Sequence, residues 1–234
     1  MKGRPRVHFS FRSPFSWMAI ERLLDEIPDA FAALEFIPFW DPDPCTAEML
    51  AERDAEFHYV QMSKAKHLYI LQDTKRQAQR LGLSMRWPVD RDPWWEVPHL
   101  AWLRARRLGA AQEFYRAVCD ARWGHGRDVC TLEAVAELAA SIGLDGALLA
   151  GATKDPSIRD EAADCLVAAY FDDIFGIPYF RLGRHRFWGL DRLEGFVAEY
   201  RAAASSSPAP DRVQFVEAQV PVGAYDTDTA GGCG

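Results

Sequence analysis

The sequence predicts an α/β fold whose sheet is drawn from the two ends of the folded region, with a large all-helical insertion between them. Three observations carry this. A period-two run, Val7-His8-Phe9-Ser10-Phe11, passes into a helical pattern opened by Ser13-Pro14. From about Thr46 to Phe175 the apolar spacing is helical almost throughout. After Gly176-Ile177-Pro178, two short alternating runs are separated by Gly183-Arg184.

The first strand ends at Arg12. Ser13 supplies an N-cap and Pro14 a residue whose missing N–H costs nothing at the first helical position, and Trp17, Ile20, Leu23, Leu24 and Ile27 continue at helical spacing. Leu34 to Phe39 resumes a strand pattern, closed by the turn Asp41-Pro42-Asp43-Pro44. In the insertion, breaks at Gly82, from Trp87-Pro88 through Pro98, at Gly109, at Gly124-His125-Gly126, at Gly143 and at Pro156 leave room for about five or six helices. Tyr179–Leu182 and His185–Trp188 form the hairpin. Asp191 and Glu194 have capping-box spacing, which predicts a last helix starting near Asp191. Ser205-Ser206-Ser207-Pro208-Ala209-Pro210 reads as a linker into a flexible tail, in which Val213 to Val220 can add a strand and Gly-Gly-Cys-Gly carries the Cys233 thiol. The expected division is 1–44 with 175–204 as one unit, 45–174 as the insertion and 205–234 as tail.

Composition narrows the function. With 49% hydrophobic and 26% charged residues, the 234-residue chain has the balance of a soluble globular protein. A net charge of -7 gives no basic field for nucleic acid or anionic lipid. No run approaches the roughly 18 apolar residues of a membrane helix, and the basic start lacks an apolar signal core, so the expected address is cytoplasmic. Five cysteines without C-x-x-C spacing and six scattered histidines suggest neither a disulfide framework nor a metal site.

A strand feeding directly into a helix aims the free N–H groups of the first turn, and the positive end of the helix dipole, at whatever lies there. In a thioredoxin-like fold this turn holds C-x-x-C, whereas here the four places read Ser13-Pro14-Phe15-Ser16. A serine cannot exchange disulfides, but its O–H can donate to a thiolate brought by a cofactor. A plain N-cap explains Ser13 equally simply. Pro178 stands where that fold keeps a cis-proline, which would let Ile177 pair with an extended thiol peptide; an ordinary proline at a strand start is the bland alternative.

Phe9 through Trp17, with Phe175-Gly176-Ile177-Pro178 and Phe187-Trp188-Gly189-Leu190-Asp191-Arg192-Leu193, resembles the 2-hydroxychromene-2-carboxylate isomerase family, kin of kappa-class glutathione transferases in the DsbA-like thioredoxin superfamily. Asp73 through Pro88 and Ala121 through Gly126 resemble the family more weakly. The likeness spans residues 6 to 200. It implies a thioredoxin-like fold with a large all-helical insertion, and glutathione as cofactor with its sulfur at Ser13, its backbone on Ile177 and Pro178, and its γ-glutamyl end near Leu190 and Asp191. It further implies that Ser13 is the catalytic residue of a thiol-dependent isomerase acting on a small unsaturated, aromatic or polyketide-like compound, with a homodimer as the assembly. The family's asparagine–arginine pair falls near Val60-Gln61 and is missing, and its threonine after the proline is Tyr179, able to donate a hydrogen bond into the site. Another low-molecular-weight thiol therefore stands beside glutathione as cofactor. A kappa-like transferase or peroxidase, or a non-catalytic thioredoxin-like binding protein, are the competing functions.

For substrate contacts the sequence offers Phe15, Lys64, Trp87, Trp94, Trp123 and Tyr179. Lys64 and Lys66 match lysines of the family's insertion and would neutralise a carboxylate, although a solvated helix face accounts for them too. Trp94 sits on a proline-rich loop from Asp92 to Pro98 and Trp123 beside Gly124, positions that can line an apolar pocket. Core packing explains the aromatics as well.

Overall fold

The computed structural model describes residues 4–58 and 62–205. β1 (Arg6–Phe9) runs into α1 (Pro14–Glu26), and a short α2 (Ala30–Ala33) turns the chain into β2 (Glu35–Pro38). At the other end β3 (Tyr179–Leu182) and β4 (His185–Trp188) form the hairpin, followed by a 3-10 turn, Leu190–Arg192, and α10 (Leu193–Ser205). The sheet order is β2-β1-β3-β4, with β1 parallel to β2 and antiparallel to β3, and β3 antiparallel to β4. Parallel pairing of β1 and β2 requires a crossover, and α1 provides it. The result is an α/β fold with a small mixed sheet, in the arrangement expected of a thioredoxin-like chain.

Between β2 and β3 lie α3 (Pro44–Ala51), α4 (Lys64–Arg80), α5 (Glu96–Arg107), α6 (Ala111–Cys119), α7 (Leu132–Ser141), α8 (Gly146–Ala150) and α9 (Pro156–Phe171). These exceed the five or six expected because α8 is too short to show a period of its own. The expected loop from Asp92 to Pro98 ends earlier: α5 starts at Glu96, and Pro98 fits its first turn, where a missing N–H is no loss. α6 widens into a π turn, Asp120–Gly124, and the helical run then ends at the expected break, Gly124-His125-Gly126, with Gly126 at φ +71°.

Alternation along the strands separates the faces of the sheet. Val7, Phe36, Phe180 and Phe187 share one face, where Phe180 stacks on Phe196 of α10 at 5.1 Å. Phe9 meets Trp102 of α5 edge-on at 5.0 Å and Tyr115 of α6 at 5.5 Å, joining the insertion to the sheet core. The other face mixes the buried Ile37 and Tyr179 with a charged cluster. Asp172, just past α9, accepts from Arg6 at 2.8 Å and from Arg181, and its Oδ2 lies 3.4 Å from the buried His8 ring. Arg106 of α5 donates to the Phe36 carbonyl of edge strand β2 at 3.0 Å and pairs with Glu161 of α9 at 2.6 Å.

The last helix starts two residues later than expected. Asp191 lies in the 3-10 turn and its carboxylate pairs with Arg192, while Glu194 reaches Arg22 of α1 at 2.9 Å instead of closing a capping box. Gly189, at φ +95°, redirects the chain just before this turn, and that conformation shifts the helix start. The expected linker and tail beyond Ser205, the Val213–Val220 strand and Cys233 lie outside the described residues, as do Val60 and Gln61. Among the described residues no helix is long and apolar enough to cross a membrane.

Candidate functional site

Ser13 occupies the N-cap of α1 with extended backbone (φ −94°, ψ 117°), and its Oγ accepts the Ser16 N–H at 3.1 Å. Its carbonyl accepts the Trp17 N–H at 3.2 Å and its own N–H donates to the Ser10 carbonyl at 3.2 Å. Among the described residues the Phe15 N–H has no acceptor. The first turn carries no acidic side chain, so the positive end of the helix is not neutralised from within it. The two serines of the turn differ: Ser13 is half-buried, whereas Ser16 is sealed, its Oγ 3.4 Å from the Ser10 N–H. Only the Ser13 hydroxyl, which is also free to donate, can meet a ligand.

The peptide Ile177–Pro178 is cis. The antiparallel register His8↔Tyr179 brings Pro178 level with Phe9, at the end of β1 from which the Ser13 turn departs. Ile177 is half-buried, and its N–H and C=O have no backbone partner among the described residues. The Gly189 N–H donates to the Pro178 carbonyl at 2.9 Å, and the following turn, Leu190–Arg192, packs against α1. Ser13, Ile177, Pro178, Leu190 and Asp191 are thus gathered at one end of the sheet. Gly176 completes the arrangement, since a Cβ there would lie 2.7 Å from the Trp188 indole nitrogen.

Beside this turn opens a cavity of about 510 Å³, lined by Arg12, Asp41, Asp43, Trp94, Trp95, Glu96 and their neighbours. Its carboxylates are largely matched: Asp41 by Arg12, Asp43 by Arg159 at 2.9 Å, and Asp90 by Arg122 at 2.7 and 2.8 Å. Burial pushes the Asp43 carboxyl up, but the Arg159 guanidinium, the Thr46 N–H and the Trp94 indole outweigh it and hold it at about 2. Glu96, 1% exposed, is pushed above the usual carboxyl range by burial and accepts the Asp43 N–H at 2.5 Å.

The expected substrate contacts separate. Trp94 lines the cavity and donates to Asp43 Oδ2 at 3.1 Å. Phe15 is half-buried against the core, next to Ser13. Trp123 is 1% exposed, stacked on Trp17 at 6.0 Å, with exposed Trp87 against its edge. Neither Trp87 nor Trp123 lines the cavity. Lys64 is exposed at the start of α4, a helix that touches α1. Tyr179 is buried edge-on against Phe175, and its hydroxyl is engaged by Arg186.

Sequence reasoning missed His99, which lies against the backbone of the turn: its Nε2 is 3.2 Å from the Phe11 nitrogen and 3.3 Å from Ser10 Oγ. No spacing signals a contact across 88 residues. Its only local mark is Trp95, one helical turn earlier, whose carbonyl takes Nδ1 at 2.7 Å. The lining carboxylates escaped for the same reason. Cys119, Cys130 and Cys165 are buried, and burial pushes all three thiols up, Cys165 to about 12, so none is a thiolate near neutrality. Among the described residues no three His, Cys, Asp or Glu side chains converge as a metal site.

A family model described as the DSBA-like thioredoxin domain matches residues 6–201. The 2-hydroxychromene-2-carboxylate isomerase of Sphingobium xenophagum is 27% identical over 195 residues, covering 82% of this chain and 95% of that protein. A solved 2-hydroxychromene-2-carboxylate isomerase superposes with a TM-score of 0.66 at 23% identity, over 86% of this chain and 99% of the other. The cytosolic disulfide reductase DsbM of Pseudomonas aeruginosa, solved with GSH, superposes with a TM-score of 0.56 at 16% identity, over 86% of this chain and 99% of that one. Both structural likenesses concern the fold.

Proposed function

Because the chain belongs to the DSBA-like thioredoxin domain family yet holds serine at both places of the redox pair, we propose that it is a thiol-dependent isomerase of a small unsaturated, aromatic or polyketide-like compound. The observation that carries this is the hydroxyl of half-buried Ser13 at a helix start without its own acidic counter-charge. It is joined by the Phe15 N–H and the Ile177 backbone, both without a backbone partner among the described residues, groups that fit a thiol peptide such as glutathione. Bound there, the thiol supplies reversible addition to a conjugated carbonyl system and departure, letting a double bond rotate while it is single.

The chain's residues do the rest. Ser13 donates its O–H to the sulfur and, with the Phe15 N–H and the helix end, favours the thiolate both as nucleophile and as leaving group. Ile177 pairs with the peptide backbone across the Pro178 end of β3, and Leu190 and Asp191 receive the γ-glutamyl end. The cavity beside Arg12, to which the insertion contributes Trp94, Trp95 and Glu96, would take the substrate, with Trp94 as an apolar contact; Phe15, next to Ser13, and the exposed Lys64 are the further contacts we propose. We take the cytoplasm as its compartment and a homodimer as its assembly.

Calorimetric titration with glutathione tests the reading, with saturable binding below millimolar concentration as the expected result. Failure of glutathione and of other low-molecular-weight thiols to bind at millimolar concentration would overturn it. That outcome favours a non-catalytic binding protein, the reading that the absent asparagine–arginine pair near Val60-Gln61 supports.

A further inference from the structure

We propose that His99, from the start of α5, is a positioning residue that holds the Ser10–Ser13 turn in the geometry that presents the Ser13 hydroxyl. The proposal rests on the thiol-dependent reading of that hydroxyl.

The His99 ring is fully buried, stacked on Trp40 at 5.1 Å with 14° between planes and flanked by Phe11 at 5.1 Å and Trp95 at 6.1 Å. Two contacts independently assign its tautomer. Nδ1 lies 2.7 Å from the Trp95 carbonyl, which can only accept, so Nδ1 carries the proton. Nε2 lies 3.2 Å from the Phe11 N–H, which can only donate, so Nε2 presents its lone pair. Burial holds the ring neutral, with its pKa lowered to about 3.

From that lone pair the order spreads along the turn. The Ser10 hydroxyl, 3.3 Å from Nε2, shares that lone pair with the Phe11 N–H as the second donor of a three-centre bond, and its oxygen accepts the Arg12 N–H at 3.3 Å. The Ser10 carbonyl takes the Ser13 N–H at 3.2 Å. The consecutive amides of Phe11, Arg12 and Ser13 are therefore held by His99 or by Ser10, which His99 orients. An insertion helix thereby fixes the backbone from which α1 starts.

The test uses the full chain with His99→Phe, which fills the ring space but offers no acceptor, and His99→Gln, which carries a donor and an acceptor at similar spacing. Glutathione affinity is measured by calorimetry, and the pKa of the bound thiol by its ultraviolet thiolate absorbance. The expected results are a loss of roughly tenfold or more in affinity and a raised bound-thiol pKa for His99→Phe, with His99→Gln within about threefold of the parent chain. Folded His99→Phe protein with unchanged affinity and thiol pKa would overturn the proposal. Should His99→Phe not fold, Ser10→Ala gives the same readouts, and unchanged affinity there is equally decisive against it. If the parent chain takes no thiol, the thiol reading falls by itself. Amide exchange at Phe11 and Arg12 then decides for His99: roughly tenfold or more acceleration in the Phe but not the Gln variant supports the role, and equal rates refute it.

Discussion

Arg122 grips Asp90 through two parallel N–H···O bonds of 2.7 and 2.8 Å while its guanidinium lies over Trp95 at 4.8 Å and Trp123 at 4.7 Å. The arginine is 2% exposed, so removing its partner strands a buried charge. Asp90→Ala should cost about 3 kcal/mol, the lower end for a broken buried pair because the carboxylate side is partly exposed. Arg122→Met, which removes the charge itself, should cost less. Urea denaturation of both variants checks the order, and a smaller loss for Asp90→Ala than for Arg122→Met would contradict it.

Ser13 and Ser16 should part company on mutation. Ser13→Ala removes the cap on the Ser16 N–H and should lower stability by about 1 kcal/mol, with loss of thiol binding. Ser16→Ala, at a sealed position, should leave thiol affinity within about twofold of the parent chain. Calorimetry on both variants measures the contrast.

Asp191 has no capping duty to lose. Because α10 starts at Leu193 and Asp191 is an exposed partner of Arg192, Asp191→Ala should change stability by no more than about 0.5 kcal/mol. Thiol affinity should nevertheless fall. Thermal melts paired with titration separate the two effects, and an unchanged affinity would remove Asp191 from the site.

Acid should weaken the fold in two stages. His99 binds its proton at about 3 when folded and at 6.5 in an unperturbed chain, so below 6.5 the unfolded state holds more protons. Stability is therefore lost as pH falls from 6.5 towards 3, by up to about 1.4 kcal/mol per pH unit. Asp43, depressed from 3.8 to about 2, adds a loss that starts below its unfolded value and completes as pH falls through its folded one. Glu96 acts the other way: raised by burial, it contributes stability at low pH that is lost as pH rises through its folded value. Urea midpoints measured from about pH 7 to about pH 4 should drop for the parent chain and stay flatter for His99→Gln.

The tryptophans should sort by burial. Trp123→Ala empties a stacked core position and should cost about 3–5 kcal/mol. Trp94→Ala, at 38% exposure, should cost about 1 kcal/mol while changing turnover of a cavity-bound substrate. Equal stability losses would contradict the assignment of Trp94 to the cavity and Trp123 to the core.

The ends of the fold were legible because their signals are local. Ser13-Pro14 writes its own cap, and the period-two runs around Gly183 write their own hairpin. What was not legible depends on neighbours distant in sequence or on single backbone angles. Asp191 mimics a cap, but the positive φ of Gly189 moves the helix start by two residues. Trp123 beside Gly124 suggested a loop, yet the π turn carries it into the core against Trp17. His99 and the carboxylates beside Arg12 are joined to the turn only by tertiary contact.

The order β2-β1-β3-β4 leaves two outer rims, each only four residues long. One ends in Pro38, which has no N–H to offer, and its Phe36 carbonyl is already taken by Arg106. The other exposes His185 and the charged Arg186, side chains that discourage an approaching strand. Among the described residues, then, neither rim presents a long uncovered strand for cross-strand pairing with a second copy.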